Sequence, residues 1–313
     1  MEAARGRLLA RTGRWSRVTG CARLLSAALV APAVAGSARI SYAPVGYIET
    51  VFPSKFVTPR QGSYSACTRA RLHVSHLPGE NVQARDTLAG LAAFSHVWLL
   101  FSFHHVDAQP LKPKIKLPRL GGRRMGVFAT RSPHRPNPIG LSLVRLDAVL
   151  DDSLELSGVD LVDGTPILDV KPYIPVYDSP AGDEAVRVPD WIEGAGAPLC
   201  SVEFTQLAVE QATALGGALR LFRSADELLR AIEDVLGADP RPSYRRQAES
   251  GTYEFDCDAV RVSSTFHLIG RSRVEGEDGG IANFGRFTVE RVELRESGPR
   301  GKHPPSPTEP IIT

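Results

Sequence analysis

The sequence lacks the patterns by which the common nucleotide, metal and hydrolase sites are recognised. Its 313 residues contain no GxGxxG after a strand pattern, no GxxxxGK[ST], no HExxH and no GxSxG. These absences remove the support for a Rossmann nucleotide site, a P-loop, a zincin centre and a hydrolase nucleophile. No apolar run reaches the roughly 18 residues that a membrane-spanning helix needs.

Cysteine is also scarce, with four residues in the whole chain: Cys21, Cys67, Cys200 and Cys257. No two of them are close in sequence, and no CxxC occurs. This spacing disfavours both a disulfide framework and a zinc ribbon. We expect reduced and mostly buried thiols, as in a reducing compartment, and no bound metal.

Acidic residues are almost missing from the first 39 positions, which carry seven arginines and one acid, Glu2. The rest of the chain has a net charge of about −4, so nucleic-acid binding requires a local basic patch. The Arg- and Ala-rich leader over 1–40 is typical of a transit peptide for a mitochondrion or chloroplast. Two alternatives stay open: a secretory signal with Leu24–Ala35 as its apolar region, and a disordered start in a cytoplasmic protein.

Short strand-like segments dominate residues 43–180. Arg69–Leu77 alternates apolar and polar residues, whereas His96–Val106 is almost continuously apolar, as in a buried central strand. A short helix is expected at Asp86–Phe94. Further strands are expected at Val45–Val51, Gly126–Thr130, Leu141–Leu150, Ser153–Val162 and Ile167–Tyr173. Seven or so short strands with one small helix predict a mainly β fold, a barrel or a sandwich.

A second, smaller region follows a stretch without periodicity. Its pattern is helical over 204–222, and a capping box at Ser224–Glu227 opens another helix over Leu228–Leu236. Strand patterns follow at Thr252–Cys257, Val260–Ile269 and Arg286–Leu294. We predict a small α+β domain over 199–296 and a disordered, Pro-rich tail over 297–313.

The segment Ala129–Gly140, ATRSPHRPNPIG, is the first candidate for a functional site. It places two arginines, a histidine and an asparagine on a loop that Pro133, Pro136 and Pro138 stiffen. Polar side chains on a rigid loop beside a buried strand form a site that is organised before its ligand arrives. An ordinary Pro-rich surface loop is the alternative.

Three further segments carry polar residues at turns. Thr58–Gly62, TPRQG, bears an arginine and a glutamine. His104 and His105 end the apolar strand pattern, and adjacent strand residues face opposite sides, so the pair cannot chelate one metal ion. Residues 160–173 gather three carboxylates, a lysine and a tyrosine around the turn Asp163-Gly164. A plain structural role is the alternative for each segment.

One loop carries six positive residues and no acid within thirteen positions: Lys112, Lys114, Lys116, Arg119, Arg123 and Arg124. This basic loop is the main positive cluster outside the leader. Several phosphates could be contacted here, as on a nucleic-acid backbone. A solvated charged loop is the alternative.

Several segments, in this order, resemble the TrmO family, also called the TsaA-like family. They are VGYIET (45–50), TPRQG (58–62), GLAAFSHVWLLFSFHH (90–105), LPRLGG (117–122), RMGVFATRSPHRPNPIGLSLVRL (124–146), LVDGTPILDVKPYIP (161–175) and DPRPSYR (239–245). The resemblance implies a non-Rossmann, β-barrel-like TsaA-type methyltransferase domain that uses S-adenosylmethionine near a homodimer interface. It implies that the substrate is N6-threonylcarbamoyladenosine at position 37 of threonine tRNA, methylated on N6.

Carried over motif by motif, the resemblance implies a set of cofactor-binding residues. They are Pro59, Arg60, Gln61, His104, His105, Arg131, Leu141, Asp163, Gly164 and Thr165. Arg131 is expected to hold the cofactor carboxylate as a fork-shaped donor. At the position of His105 some relatives carry another residue.

The chemistry and the RNA contacts complete these expectations. Methyl transfer requires the N6 proton to leave, and the candidates to accept it or to orient the base are Asp163, Asp169, Lys171 and Tyr173. The tRNA is expected to contact the basic loop together with Arg135, Asn137, Arg241, Tyr244 and Arg245. A non-catalytic barrel that binds a nucleotide or RNA is the main alternative, and the intact motifs speak against it. The spacing of His and Cys disfavours a metal hydrolase.

Overall fold

The computed structural model describes residues 40–295, except for positions 60, 63–64, 76, 78–81, 107–111, 117–123, 181, 183–185, 190–191, 193–197, 243–244, 247 and 274–280. The predicted tail and all but the last residue of the predicted leader lie outside this part of the chain. Within it, no helix combines the length and the apolar character needed to cross a bilayer.

The first region of the described chain is built mainly from strands. Its elements are β1 Gly46–Thr50, β2 Arg69–Val74, α1 Ala84–Thr87, β3 His96–Ser102, β4 Lys114–Lys116, β5 Arg124–Gly126, β6 Ile139–Val149, β7 Ser153–Ser157, β8 Thr165–Pro172 and α2 Pro175–Asp178. Six strands close into an antiparallel barrel in the order β1-β2-β7-β6-β3-β8, and β4 pairs with β5 as a separate ribbon. The predicted mainly β, barrel-like fold is confirmed.

Alternation along the strands builds the barrel interior. On β1, Ile48 is buried, while its neighbours on either side are half-buried on the outer face. Leu72, Leu99, Leu154 and Ile167 are fully buried in the same interior. Each such side chain stabilises the barrel by about 1.5–3 kcal/mol relative to an exposed one.

Three connections emerge at the same end of the barrel, which we call the loop end. Because neighbouring strands are antiparallel, the segments that follow β1, β3 and β7 precede β2, β6 and β8 at that end. These connections are residues 51–68, 103–138 and 158–164. The barrel therefore gathers segments that are far apart in sequence.

The second region packs two helices against a four-stranded sheet. Its elements are β9 Cys200–Phe204, α3 Gln206–Ala214, α4 Ala225–Gly237, β10 Ser250–Cys257, β11 Val260–Arg273 and β12 Ile281–Leu294. The sheet order is β10-β11-β12-β9, with β9 parallel to β12. Ser224 caps α4 as predicted, since its hydroxyl accepts a hydrogen bond from the Glu227 N–H at 3.2 Å.

The two regions share a hydrophobic cluster. Val51, Phe52 and Val57, from the connection after β1, are buried in the core of the second region. The Asp258 N–H also donates to the carbonyl of Val51 at 2.8 Å. The first connection of the loop end is thus anchored in both cores.

Several predicted elements differ from the structure. The apolar run from His96 was expected to be one buried strand, but β3 ends at Ser102 and its outer face is only half-buried. Of the strand predicted at Gly126–Thr130, only Gly126 belongs to a strand, as the last residue of β5, and Val127–Ala129 forms a 3-10 turn. The helix predicted at Asp86–Phe94 is split into α1 and a 3-10 turn, because Gly90 between them adopts the left-handed φ of 85°. Strand β9 was not predicted, although CSVEF alternates apolar and polar residues over Cys200–Phe204.

Candidate functional site

The loop end brings together most segments that the sequence singled out. TPRQG lies in the first connection, the histidine pair and the Pro-rich loop lie in the second, and the DGT turn joins the third to β8. Hydrogen bonds between side chains and from backbone to side chain link these connections to one another and to the strands. The barrel topology, and not sequence proximity, therefore assembles the site.

Arg131 and Gln61 connect the Pro-rich loop to the TPRQG turn. The guanidinium Nη1 of Arg131 donates to Oε1 of Gln61 at 3.0 Å. Arg131 is exposed, and Pro59 and Gln61 of the TPRQG turn are half-buried. Arg60 lies outside the described residues. A guanidinium carries five N–H donors, so Arg131 has the chemistry to bind a carboxylate at this surface.

Asp160 is a site residue that the sequence interpretation did not select. Its Oδ1 accepts a hydrogen bond from the Ser142 hydroxyl at 2.6 Å. Burial raises the pKa of this carboxyl, while hydrogen bonds from Ser142 and from the backbone of Gly62 and the charge of Arg131 act in the opposite direction. Asp160 was one of three carboxylates noted in 160–173, and only its partners on other connections distinguish it.

Two glycines allow the first and third connections to touch. A Cβ on Gly62 would lie 2.1 Å from the carbonyl oxygen of Gly158, far closer than non-bonded atoms approach. Gly158 itself has a left-handed φ of 71°, which favours glycine. The TPRQG turn therefore rests directly on the segment that carries Asp160.

The histidine pair lies in a turn after β3, so the prediction that its members point to opposite faces of a strand was wrong. The rings of His104 and His105 are 3.8 Å apart between centroids and tilted by 42°. Loss of solvation, with the neighbouring His105, lowers the pKa of His104 to about 4. His104 is therefore neutral at physiological pH and can accept or donate one hydrogen bond.

The Asp163 turn has a clear structural role. One carboxylate oxygen of Asp163 accepts a hydrogen bond from the Thr50 N–H at 2.9 Å. The Gly164 N–H donates to the Ile48 carbonyl at 2.9 Å, and the Thr165 hydroxyl donates to the Val162 carbonyl at 2.6 Å. These contacts hold the start of β8 against the end of β1.

The remaining predicted catalytic residues follow along β8. Asp169 and Lys171 form an ion pair of 2.6 Å on the outer face. Asp169 is opposite Leu100 of β3, which is opposite Leu141 of β6, so these three residues form a row across the sheet. Tyr173 lies eight residues beyond Thr165, about 26 Å along the strand, and packs edge-on against Trp98 at 5.9 Å. Within one chain the structure separates Tyr173 from the loop end.

Internal hydrogen bonds organise the Pro-rich loop. Arg135 Nη1 donates to the carbonyl of Thr130 at 3.0 Å, and its guanidinium lies 6.0 Å from the ring of Phe128. The Phe103 N–H donates to the carbonyl of Pro138 at 2.8 Å, which ties the loop to the end of β3. Asn137 is exposed at the loop surface.

The basic loop contains the β4–β5 ribbon. Lys112, Lys114 and Arg124 are exposed, and Lys116 is paired in register with Arg124. The Val127 N–H donates to the Pro113 carbonyl at 3.0 Å, so the ribbon is attached directly to the turn before Arg131. Arg119 and Arg123 lie outside the described residues.

Arg241 does not lie where the tRNA prediction placed it. Its side chain is only 5% exposed, it forms a 2.8 Å ion pair with Asp239, and its guanidinium stacks 3.2 Å from the centre of the Phe266 ring. A core position cannot contact RNA, so the expected tRNA contact is replaced by a structural role. The neighbouring Arg245 is exposed, and Tyr244 lies outside the described residues.

No group of three or more His, Cys, Asp or Glu side chains suited to a metal ion is found among the described residues. The described part of the loop end instead offers a guanidinium, a neutral imidazole and a half-buried carboxylate. These are groups that bind and orient an organic molecule by hydrogen bonding and charge.

Comparisons with known proteins agree with this arrangement. A family model described as the tRNA-methyltransferase O N-terminal domain matches residues 47–179. A Pseudomonas aeruginosa relative, named as an S-adenosylmethionine-dependent methyltransferase, is 42% identical over 214 residues, which cover 68% of this chain and 87% of the relative.

The tRNA (adenine(37)-N6)-methyltransferase of Escherichia coli is 42% identical over 212 residues, covering 66% of this chain and 84% of that protein. The crystal structure of TrmO from Pseudomonas aeruginosa aligns with a TM-score of 0.56 at 32% identity. That alignment covers 81% of this chain and 98% of the crystallised one.

Proposed function

This chain belongs to the TrmO family, and from that premise we propose that it methylates N6 of N6-threonylcarbamoyladenosine at position 37 of threonine tRNA. The chain is a tRNA (adenine(37)-N6)-methyltransferase that uses S-adenosylmethionine. The threonylcarbamoyl group and the choice of threonine tRNA are the parts that we propose. The observation that carries the proposal is the convergence of four family segments at the loop end: the TPRQG turn, the histidine pair, the Pro-rich loop and the DGT turn.

The residues at the loop end fit S-adenosylmethionine, whose sulfonium supplies an electrophilic methyl group when the molecule is bound. Arg131 would bind the amino-acid carboxylate, and Gln61, which accepts from Arg131 at 3.0 Å, would orient the guanidinium. Leu141 and Phe128, which are 46% and 77% exposed, offer apolar surface for the adenosine. The fit thus rests on matched charge and matched apolar surface.

Asp160 would act as a positioning residue for this pocket. Its carboxylate is shared by Ser142 on β6 and the backbone of Gly62, and it lies within electrostatic reach of Arg131. Such a hydrogen-bonded, half-buried group holds three segments in one arrangement before the ligands bind. We expect Asp160→Asn to weaken S-adenosylmethionine binding while the barrel remains folded.

We assign the acceptance of the N6 proton to Asp169 rather than Asp163. Both carboxylates accept hydrogen bonds, Asp163 from the Thr50 N–H and Asp169 from the Val170 N–H, so occupancy does not separate them. Position does, because Asp169 is on the outer face in one row with Leu100 and Leu141, beside the surface proposed for the adenosine. Lys171 holds Asp169 through its ion pair and would orient it, and a protonated lysine cannot itself accept a proton.

Single-turnover methylation separates the two carboxylates. Asp169→Asn should reduce the rate by about 10²–10⁴-fold, the range typical of a general base. Asp163→Asn should act mainly through stability, because it weakens the contact with Thr50. An undiminished rate in Asp169→Asn would refute the assignment.

The β4–β5 ribbon would contact the tRNA backbone. Lys114 and Arg124 are exposed on a ribbon that is attached to the Pro-rich loop, so RNA held there lies beside the site. Each of Lys114→Gln and Arg124→Gln should weaken tRNA binding and reduce the salt dependence by about one phosphate contact. Binding of S-adenosylmethionine should not change in either variant.

We also propose that the chain acts as a homodimer. Ile139 and Leu141 are 41% and 46% exposed on the outer face of β6, and Val176 and Tyr177 of α2 are each 79% exposed. Apolar surface of this kind is suited to cover by a second copy, and its Ile139 and Leu141 part lies next to the proposed cofactor pocket. Ile139→Asp should shift the mass measured by analytical ultracentrifugation from dimer to monomer, whereas Ile269→Asp, on another exposed surface, should not.

Mass spectrometry of tRNA nucleosides tests the function directly. Incubation of tRNA with the protein and S-adenosylmethionine should convert N6-threonylcarbamoyladenosine into a product heavier by one methyl group. The same tRNA without the threonylcarbamoyl group is the control and should remain unchanged. If the protein binds tRNA but S-adenosylmethionine neither stabilises it nor is consumed, a non-catalytic RNA-binding barrel would replace the proposal.

A further inference from the structure

A cavity lined with arginines lies between the barrel and the second region, outside the methyl-transfer site. It has a volume of about 180 Å³ and is formed by β2, the facing ends of β6 and β7, and residues 220–223 before α4. This is more than ten times the roughly 15 Å³ that one water needs. The cavity can therefore hold a polyatomic group.

Positive charge predominates in the cavity lining. Four guanidinium groups and two carboxylates line it: Arg69, Arg71, Arg220, Arg223, Asp147 and Glu155. Arg69 is fully engaged, with Asp147 on one nitrogen and Glu227 on two others. Arg220 is paired with Glu49 outside the cavity lining.

The excess positive charge arises around Glu155, which is shared by two arginines. Its two oxygens accept hydrogen bonds from Arg71 Nη2 at 3.0 Å and from Arg223 Nη2 at 2.9 Å, so one carboxylate serves two cations. These bonds lower the pKa of Glu155, which keeps the carboxylate ionised at neutral pH. The group of three residues therefore has a net charge of +1.

Arg71 also carries an unmet donor. Its Nε is buried and has no hydrogen-bond partner among the described residues. A buried N–H without an acceptor is costly, by an amount comparable to a lost hydrogen bond to a charged group. An anion in the cavity would neutralise the excess positive charge of Arg71, Arg223 and Glu155.

We propose that this cavity binds a phosphate-type oxyanion between Arg71 and Arg223. The planar fork of arginine matches the oxygens of a phosphate, and the guanidinium groups of Arg71 and Arg223 share a single carboxylate. The ligand is either inorganic phosphate or a phosphodiester of bound RNA, which share this chemistry. The site does not depend on methyl transfer.

Calorimetric titration of the full chain with inorganic phosphate, at constant ionic strength, tests the site. Arg223→Gln should weaken phosphate binding about tenfold, since a charge-assisted hydrogen bond is removed. Glu155→Gln should strengthen it, because the carboxylate that competes for both arginines is lost. Arg261→Gln, which alters an exposed ion pair with Asp256 on the second sheet, is the matched control and should bind like the wild type.

The two cavity variants are expected to change the phosphate affinity in opposite directions, which misfolding alone would not produce. Absence of saturable phosphate binding by the wild type would overturn the proposal. It would also be overturned if Glu155→Gln and Arg223→Gln changed the affinity in the same direction. Neither result would bear on the methyltransferase assay, which is run without added phosphate.

Binding of tRNA identifies the source of the phosphate. If the RNA backbone occupies the cavity, Arg223→Gln should weaken tRNA binding and Glu155→Gln should strengthen it, in parallel with the calorimetry. If free phosphate is the ligand, tRNA affinity should be the same in both variants while phosphate affinity changes. Either pattern supports the oxyanion site.

Discussion

Replacement of Arg241 by glutamine tests the structural role that displaced the expected tRNA contact. Arg241 donates from Nε and Nη2 to the two carboxylate oxygens of Asp239, which is itself 2% exposed, and it stacks on Phe266. Removing one partner of a buried ion pair typically costs 3–5 kcal/mol. Arg246 remains 3.4 Å from Asp239 and compensates in part. We therefore expect Arg241→Gln to lower the free energy of unfolding by about 2–4 kcal/mol.

Urea denaturation followed by circular dichroism measures this change, and a filter-binding assay at low temperature measures the affinity for tRNA. Arg245→Gln is the matched control, because Arg245 is exposed in the same segment. The control should change the free energy of unfolding by less than about 0.5 kcal/mol. If Arg241→Gln retained full stability and lost tRNA binding, the reasoning from burial would be refuted.

Three further predictions follow from single contacts. Gly62→Ala should lower the melting temperature and weaken S-adenosylmethionine binding in calorimetry, because its Cβ would lie 2.1 Å from the Gly158 carbonyl oxygen. Gly251→Ala is the control and should not weaken that binding, because its Cβ would meet nothing within 4 Å. Ser224→Ala should cost about 1 kcal/mol in urea denaturation through loss of the α4 cap, and no change would contradict the capping geometry. As the pH falls from 6.5 towards 4, the wild type should lose stability relative to His104→Gln, because the unfolded chain protonates this histidine before the folded chain does. If the melting temperatures of the two proteins fell equally with pH, the lowered pKa of His104 would be excluded.

Local patterns predicted much of the secondary structure. Alternation located β2, and the capping box located the start of α4 at Ala225. Predictions failed where an apolar run had no internal signal for its end, as at Ser102. They also failed at β9, whose short alternation stands next to a helical pattern. The order of apolar and polar residues reports local geometry, but not the point at which tertiary contacts stop an element.

The residues of the candidate site were likewise predicted from the sequence only in part. Arg131 and Gln61 were selected from their motifs and are joined by a hydrogen bond, whereas Asp160 had no motif of its own and emerged only through Ser142 and Gly62. Arg241 was expected at an RNA surface together with Tyr244 and Arg245 of the same segment. Its burial depends on Asp239 and Phe266, and the ring that it stacks on comes from a distant strand.

The sequence by itself therefore determined which segments carry chemistry, because the stiff Pro-rich loop and the TPRQG and DGT turns are local properties. The tertiary structure alone decided which of their side chains meet. Antiparallel closure of the barrel places the connections 51–68, 103–138 and 158–164 at one end. Contacts between residues that are 18 to 113 positions apart depend on strand register, which no local pattern encodes.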